Sequence, residues 1–246
     1  MHEKAGKIIF VEPTVIFQDS DILILNKPAG WIVNEANTTT TQPVIQTYLQ
    51  KQFDYPIVKS KEFRSGIVHR LDKETSGILI IAKNENTFTR LQTEFKERTV
   101  KKTYLALVHG KVDPKDGEVS VPVGRLPWRR DRFGVLPGGR ESSTQYKLKA
   151  YYQKDDAMFS LVELFPKTGR THQIRIHMKY LGHPLVADEF YAGRKTARND
   201  RKWCPRLFLH AEGITFDHPG SGERVSFRAD LPQDLSDTLA QLSAAD

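Results

Sequence analysis

The fold is decided by the stretch His69-Arg70-Leu71-Asp72-Lys73-Glu74-Thr75-Ser76-Gly77, which continues directly into Ile78-Leu79-Ile80-Ile81. Four apolar residues bounded by turn-forming residues predict a buried β-strand. Such a strand would hold the preceding loop on a rigid support, and that loop carries a single carboxylate, Asp72, after a basic dipeptide. The spacing alone leaves two interpretations open: Asp72 is a functional carboxylate, or it caps a turn and pairs with Arg70.

The composition limits the classes of protein to consider. A chain of 246 residues with 39% hydrophobic content can bury a full core, as one large domain or two small ones. No run approaches the ~20 apolar residues that span a bilayer, and the first residues lack the apolar core of a signal peptide. The only cysteine, Cys204, excludes an internal disulfide and a multi-thiolate zinc site. We therefore expect a cytoplasmic protein with no membrane partner.

Positive charge is concentrated in two segments. Residues 125–140 carry five arginines against one aspartate, a local +4, and residues 194–206 carry six cations against one aspartate, a local +5. Because the whole chain has a net charge of +7, everything else sums to −2. Such segments attract a polyanion, and their aromatic residues Trp128, Phe133 and Trp203 suit stacking on exposed bases. The alternative is a pair of solvated loops. The predicted nucleic-acid contacts within these segments are Arg125, Arg129, Arg130, Arg132, Arg198, Arg201 and Lys202, and Lys27 is predicted as a further contact outside them.

The chain alternates strands and helices without an internal repeat. Strands are expected at residues 15–17, 22–25, 78–81, 102–108, 146–152, 158–165 and about 207–214. Helices are expected at residues 43–53, after Asn84 as N-cap, at 171–181 and at 234–242. Residues 110–140, rich in Gly, Pro and Arg, predict hairpins or loops. Helices separated by hairpin-like strands indicate an α+β fold rather than a doubly wound sheet.

A second motif runs Thr168-Gly169-Arg170-Thr171-His172-Gln173-Ile174-Arg175-Ile176-His177. Thr171 is the predicted N-cap of a helix that stops at Gly182, and Arg175 lies beside the face of that helix that is expected to be buried. A buried guanidinium needs an anionic partner. No acidic residue lies between Glu163 and Asp188, so we expect the partner to come from elsewhere in the fold, with Asp72 as the candidate. The alternative is a surface salt bridge within this helix.

These two motifs belong to an ordered set of five. The other three are Asn26-Lys27-Pro28-Ala29-Gly30, Lys102-Thr103-Tyr104-Leu105-Ala106-Leu107-Val108-His109-Gly110 and Arg206-Leu207-Phe208-Leu209-His210-Ala211. In order and spacing, from about Val15 to Pro232, the set resembles the RluA family of RNA pseudouridine synthases. The resemblance implies that family's catalytic fold, with a mixed, largely antiparallel central sheet flanked by helices and loops and a central cleft.

The resemblance also implies a domain organisation, an extension at residues 1–13 followed by a catalytic domain at residues 14–246. Many family members have a separate small RNA-binding domain before the catalytic domain, and we expect this chain to be a short form without one. The segment Trp31-Ile32-Val33-Asn34-Glu35 departs from the family, in which a His-Pro-like pair is expected near its end. This departure puts the role of the loop at Asn34-Glu35 in doubt.

Catalytic roles are implied for three residues, Asp72, Tyr104 and Arg175. Asp72 would be the catalytic carboxylate, attacking the sugar or the base or assisting proton removal, so its route stays open. Arg175 would pair with Asp72 and favour its charged form. Tyr104 would pack against the target base and help with the proton at carbon 5, although an ordinary core tyrosine would also fit its strand. The reaction implied needs no metal, redox or nucleotide cofactor.

Substrate-binding roles are implied for residues around these three. Uracil stacked in folded RNA must be flipped out before its glycosidic bond can be reached, and the planar guanidinium of Arg70 suits the vacated space. Leu209 would give the base an apolar wall. For His69 we favour a structural, hydrogen-bonded histidine over acid–base chemistry. The predicted substrate-binding residues are His69, Arg70, Leu71, Thr75, Gly77, Thr171, His172, Gln173 and Leu209.

The resulting hypothesis is a monomeric isomerase, with no obligate protein partner, that converts a specific uridine in structured transfer RNA or large-subunit ribosomal RNA to pseudouridine. Two other classes of protein are disfavoured. A metal-dependent hydrolase is disfavoured because His172 and His177, five residues apart, point about 140° from each other on a regular helix. A non-catalytic RNA-binding module derived from a synthase is disfavoured because binding alone would not need Asp72, Tyr104 and Arg175 together.

Overall fold

The structure, a computed structural model, describes residues 11–35 and 42–245, except for the side chain of Arg130. Residues 1–10 of the predicted extension, Asp246, and the RNA contact expected from Arg130 therefore lie outside the described residues. The predicted division into an extension and one catalytic domain stays a prediction. Within the described ranges, no helix combines the length and the apolar character that crossing a membrane requires.

Strands and helices alternate along the described chain. The strands are β1 Thr14–Gln18, β2 Ile22–Lys27, β3 Ser76–Ala82, β4 Lys101–His109, β5 Asp116–Ser120, β6 Val123–Leu126, β7 Arg129–Val135, β8 Ser143–Lys154, β9 Ala157–Pro166, β10 Leu209–Asp217, β11 Arg224–Arg228 and β12 Ser243–Ala245. The helices are α1 Ile45–Gln52, α2 Glu85–Glu97, α3 Gln173–Tyr180, α4 Arg194–Asp200 and α5 Gln233–Ala240. Every predicted strand and helix is present. The sequence did not predict α4, β11 or β12.

The strands form one mixed sheet in the order β1-β2-β3-β10-β4-β9-β8-β12, with β11 beside β10 and β5 beside β8. The pairing of β3 with β10 is parallel, and the other ladders between the described strands are antiparallel. Strands β6 and β7 form a separate hairpin. The predicted α+β fold with a mixed, largely antiparallel central sheet is confirmed.

Strand β3 lies in the middle of this sheet, and every one of its residues is buried. Gly77 has a φ of +116°, and a Cβ atom there would lie 2.2 Å from the carbonyl oxygen of Ala211 on β10. Only glycine tolerates both this backbone conformation and this approach. Gly77 therefore lets the parallel β3–β10 pair form, which fixes the loop carrying Asp72 to the centre of the sheet.

The two helices beside this loop begin differently. Asn84 caps α2 as predicted, because its side chain accepts a hydrogen bond from the backbone N–H of Thr87 at 2.9 Å. The prediction that Thr171 caps α3 is wrong. Helix α3 begins at Gln173, after His172 in a left-handed conformation (φ 55°) whose side chain makes no capping bond. The imidazole is directed instead toward the cleft described below.

Candidate active site

A cavity of about 570 Å³ opens where the loop before β3 faces β4 and the start of α3. Its volume lies within the range of roughly 300–1,000 Å³ typical of small-molecule sites. The predicted catalytic residues Asp72, Tyr104 and Arg175 all line it. So do the predicted substrate-binding residues His69, Arg70, Leu71, Thr75, Thr171, His172, Gln173 and Leu209. Gly77 does not line it, and its role is the strand contact described above.

Asp72 and Arg175 come together although 103 positions separate them in the sequence. Oδ2 of Asp72 lies 3.5 Å from Nη1 of Arg175 and 3.8 Å from Nε2 of His172. The side chain of Asp72 is 21% exposed, whereas that of Arg175 is 3% exposed. The carboxylate thus opens into the cavity, with the guanidinium behind it.

Asp72 pairs with Arg175 as predicted, but the closer partner of Arg175 is Asp188, which the sequence did not predict. Asp188, which is fully buried, accepts two hydrogen bonds of 2.8 Å each, from Nε and Nη2 of Arg175. This bidentate geometry is the strong form of a charge-assisted pair. Burial lowers the pKa of Arg175, but the hydrogen bonds and charge of Asp188, together with the charge of Asp72, raise it above its usual range. The guanidinium is therefore a fixed positive charge.

The segment after Asp188 supplies two aromatic rings that pack against Arg175, and the sequence did not predict this contact. The guanidinium of Arg175 lies 5.2 Å from the ring centre of Phe190 and 5.1 Å from that of Tyr191. The Tyr191 hydroxyl group donates to the carbonyl oxygen of Phe133 at 3.1 Å and lies 2.9 Å from Nδ1 of His172. Burial lowers the pKa of His172, against the opposing effect of Asp72. The imidazole is therefore neutral at pH 7.

Tyr104 and Leu209 form part of the cavity wall. They lie on the adjacent strands β4 and β10, and Leu209 pairs with Ala106, two residues beyond Tyr104. The pKa of the Tyr104 hydroxyl group is raised by burial and by the charge of Asp72, so the phenol stays protonated. Among the described residues, its hydroxyl group has no hydrogen-bond partner. Tyr104 thus presents a ring and a hydrogen-bond donor to whatever fills the cavity.

Thr75 and Gln173 differ in what they offer a ligand. Oγ1 of Thr75 is buried and unpaired among the residues the structure describes. The amide of Gln173 is fully used, since Oε1 accepts from Oγ1 of Thr168 and the backbone N–H of Arg170, and Nε2 donates to the carbonyl oxygen of Ser143 and to Oγ1 of Thr144. Gln173 therefore orders the loop before α3.

His69 is held inside the fold. Its Nε2 accepts a 2.9 Å hydrogen bond from the backbone N–H of Ile80, and its ring stacks on Phe95 with centres 4.9 Å apart. Burial, with the charge of Lys102 as a second cause, lowers its pKa to about 3. The structure therefore supports the structural interpretation of His69.

This depressed pKa predicts a pH dependence of stability. Since unfolded histidine has a pKa near 6.5, the unfolded chain binds more protons than the folded chain between about pH 6.5 and 3, and the free energy of unfolding must fall as the pH falls through that window. At pH 5 we expect His69 to account for on the order of 1–2 kcal/mol of the loss. Urea unfolding at pH 7 and pH 5 measures it. His69→Gln should lose less stability on acidification, and equal losses would contradict the assignment.

Lys27 is not at the surface, so its predicted contact with RNA is wrong. Its side chain is fully buried and its ammonium group donates to the carbonyl oxygens of Pro28 and Trp31 at 3.0 Å and of Lys73 at 3.3 Å. Burial, followed by the charge of Arg206, lowers its pKa to about 7. Lys27 stabilises the loop that follows Asp72.

Both basic segments border the cleft without lining it. In the β6–β7 hairpin, Arg132 lies 4.1 Å from the ring centre of Phe190 and donates to its carbonyl oxygen. On the other side, Arg201, which follows α4, pairs with Glu74 at 2.7 Å. The predicted RNA contacts with exposed side chains are Arg125, Arg129, Arg198 and Lys202.

The aromatic side chains of these two basic segments differ in how far they are exposed for stacking on a base. Trp128 is 71% exposed and remains suited to stacking on a base. Trp203 packs edge-on against Phe159, with ring centres 5.2 Å apart, so its expected availability for stacking is wrong. Phe133 is half-buried beneath the guanidinium of Arg125 at 4.9 Å.

The two histidines of the disfavoured metal site lie in different places. His177 is fully buried, with Nδ1 2.9 Å from Oγ1 of Thr144 and Nε2 3.0 Å from Oγ of Ser142, whereas His172 faces the cleft. Within the described ranges, no group of three or more His, Cys, Asp or Glu side chains is arranged to hold a metal ion.

The fold that carries this cleft is shared with one class of enzymes, the RNA pseudouridine synthases. The family model for RNA pseudouridylate synthase matches residues 21–180. The chain belongs to this family of isomerases, whose reaction is the conversion of uridine to pseudouridine in RNA.

Individual relatives agree with this assignment. The chain is 37% identical to the uncharacterized RNA pseudouridine synthase YlyB of Bacillus subtilis, covering 93% of this chain and 72% of that protein. It is also 37% identical to ribosomal large subunit pseudouridine synthase D of Neisseria meningitidis serogroup B, covering 93% of this chain and 60% of that protein. The solved structure of human RNA Pseudouridylate Synthase Domain Containing 1 is similar with a TM-score of 0.74 and 28% identity, over 95% of this chain and 89% of that one.

Proposed function

We propose that this chain converts a specific uridine in structured RNA to pseudouridine, with Asp72 as the catalytic carboxylate and the target nucleotide flipped into the cleft. One observation carries the proposal. Asp72 is the only acidic side chain among the described residues that line the cavity, and its oxygen lies 3.5 Å from a guanidinium that Asp188 holds from behind.

The reaction breaks the bond between the ring nitrogen of uracil and the ribose, and rejoins the two through carbon 5. Carbon 5 loses a proton, and the released nitrogen gains one. Asp72, open to the cavity and 3.5 Å from the guanidinium of Arg175, is placed to act on the sugar or the base of a nucleotide held there. Tyr104 and Leu209 enclose the uracil ring, and the protonated Tyr104 hydroxyl group is a hydrogen-bond donor to it.

For the substrate we favour large-subunit ribosomal RNA over transfer RNA. Support comes from relatives in Neisseria meningitidis and Nitrosomonas europaea, which are named ribosomal large subunit pseudouridine synthase D and are 37% and 36% identical to this chain. The chain spans 60% and 64% of the length of these two relatives. We further propose that the protein works as a monomer in the cytoplasm.

Mapping of pseudouridines in total RNA, from cells with and without this gene, tests the proposal. We expect one or a few uridines to lose the modification, and the wild-type gene to restore it where Asp72→Asn does not. A site that disappears from large-subunit ribosomal RNA supports the favoured substrate, and one that disappears from transfer RNA corrects it. If no site changes, the isomerase proposal is wrong and a binding module without catalysis is the better interpretation.

Arg70 gives a prediction about base flipping. It is exposed and lines the cavity next to Asp72, so its guanidinium is placed to fill the space that a flipped nucleotide vacates. Arg70→Ala should slow turnover of folded RNA by about 10–100-fold, since unstacking a base costs a few kcal/mol, and should leave the unfolding midpoint unchanged. Lys73→Ala, which removes one positive charge from the same loop outside the cavity lining, is the matched control. A fully active Arg70→Ala protein would remove this role.

A further inference from the structure

The cavity extends well beyond the residues assigned to the reaction. From Asp72 it continues past Tyr104 along β4 to the end of α2, where it is bounded on one side by the loop between β9 and α3. We call this extension the basic arm and define it by its cations Arg64, Lys96, Arg98, Lys102, Lys167 and Arg170. Within the described part of the chain, no residue of the segments 125–140 and 194–206 lines it. The basic arm is therefore a surface separate from those segments.

The charge of the basic arm is largely uncompensated. Of its six cations, Lys167 is paired with Glu118 at 2.7 Å, whereas the other five form no ion pair among the described residues. Lys102 is half-buried, and its ammonium group donates one bond of 3.3 Å, to the carbonyl oxygen of Thr168. An ammonium group has three donors, so Lys102 keeps two for a ligand.

Apolar side chains underlie the cations. Val68 and Val100 are each 6% exposed, and Phe95 is half-buried with its ring against His69. Because residues i and i+2 of a strand share a face, Lys102 lies on the same face as Tyr104, roughly 7 Å further along β4. A flat apolar ring would fit over this floor while an attached anionic group reaches the cations. Nucleotides have this chemistry.

We propose that the basic arm binds the RNA strand adjoining the target uridine, with a neighbouring base over the floor of Val68, Phe95 and Val100 and its phosphates against Lys102 and Arg98. The inference rests on the proposed function, because it takes the target nucleotide to occupy the cleft at Asp72. The strand then crosses a surface that includes neither Phe190 nor the β6–β7 hairpin.

Salt dependence of binding to a short single-stranded oligouridylate tests the basic arm. The logarithm of the binding constant falls linearly with the logarithm of the salt concentration. For single strands, removing one cation that neutralises a phosphate makes this negative slope shallower by about 0.7. We expect Lys102→Gln to reduce the magnitude of the slope by about 0.7, and Lys96→Gln/Arg98→Gln, at two exposed positions, to reduce it by about 0.7 to 1.4. The matched controls are Lys51→Gln/Lys147→Gln for the double variant and Lys51→Gln alone for Lys102→Gln, since each removes the same charge from exposed positions outside the cavity.

A second measurement locates the contact on the RNA. In a short oligocytidylate that carries a single uridine, neutral methylphosphonate linkages placed one at a time beside that uridine should weaken binding by the wild-type protein when they lie on one side of it, and not on the other. The arm variants should be insensitive to the same linkages. If both arm variants match the control in slope and in linkage sensitivity, the inference is wrong. Pseudouridine formation by the wild-type protein is measured separately. If it occurs but the arm variants bind like the control, the basic-arm proposal is wrong and the proposed function stands. If RNA binds at the basic arm but is never modified, the proposed function is wrong and the basic-arm contact stands.

Discussion

Replacing Asp72 with Asn should abolish pseudouridine formation and leave RNA affinity almost unchanged. The amide keeps the size of the carboxylate but can neither act as a nucleophile nor accept a proton. We expect a loss of on the order of 10⁴-fold or more in turnover, the scale found when one member of a catalytic unit is removed. Binding should persist because the exposed cations of the cleft and its borders remain. Single-turnover conversion and equilibrium binding on the same RNA measure the two quantities.

The matched control for this variant is Glu74→Gln. It makes the same chemical change two residues further along the loop, at a side chain that pairs with Arg201 and does not line the cavity. The control should keep most of the activity. An Asp72→Asn protein that still forms pseudouridine at a rate close to the control would show that the catalytic carboxylate lies elsewhere, whereas loss of binding together with activity would indicate a misfolded loop.

The meeting of Asp72 and Arg175 could be predicted from the sequence because it follows from local patterns. Periodicity places a carboxylate before a buried strand and an arginine beside an apolar helix face, and a buried guanidinium requires an anion. The prediction missed Asp188 because that residue lies in an irregular segment, where no repeat indicates which way a side chain points. The sequence did contain one indication of a buried Asp188, because this residue directly follows the apolar run Leu185-Val186-Ala187.

Two other errors have a common physical origin. Lys27 was predicted to contact RNA, yet its ammonium group is buried and donates to three backbone carbonyl groups that lie close to one another. Thr171 was assigned as a helix cap on its residue type, yet the chain turns at His172 with a positive φ. In both cases the deciding contacts are made by backbone groups whose positions depend on the tertiary fold, and sequence patterns carry little information about these.

Replacing Asp188 with Asn should both destabilise the protein and impair catalysis. Arg175 is 3% exposed and Asp188 fully buried, so the substitution leaves a buried guanidinium whose remaining carboxylate, Asp72, is 3.5 Å away. Removing one partner of a buried ion pair lowers the free energy of unfolding by about 3–5 kcal/mol. Because the Asn amide can keep part of the hydrogen bonding, we expect a loss near the lower value. The weaker hydrogen bonding would also free Arg175 to move relative to Asp72. Urea unfolding and turnover measure the two effects.

Glu189→Gln is the matched control for Asp188→Asn, because its carboxylate is adjacent in the sequence but 62% exposed, and we expect little change in either measurement. The double variant Asp188→Asn/Arg175→Met separates the two roles of Asp188. Removing the unpaired charge should recover much of the stability, since a buried pair can often be replaced by apolar groups without loss. It should not recover activity, because the guanidinium beside Asp72 is gone. Full activity of Asp188→Asn, or a stability equal to that of the control, would show that Asp72 alone suffices to hold Arg175 in place.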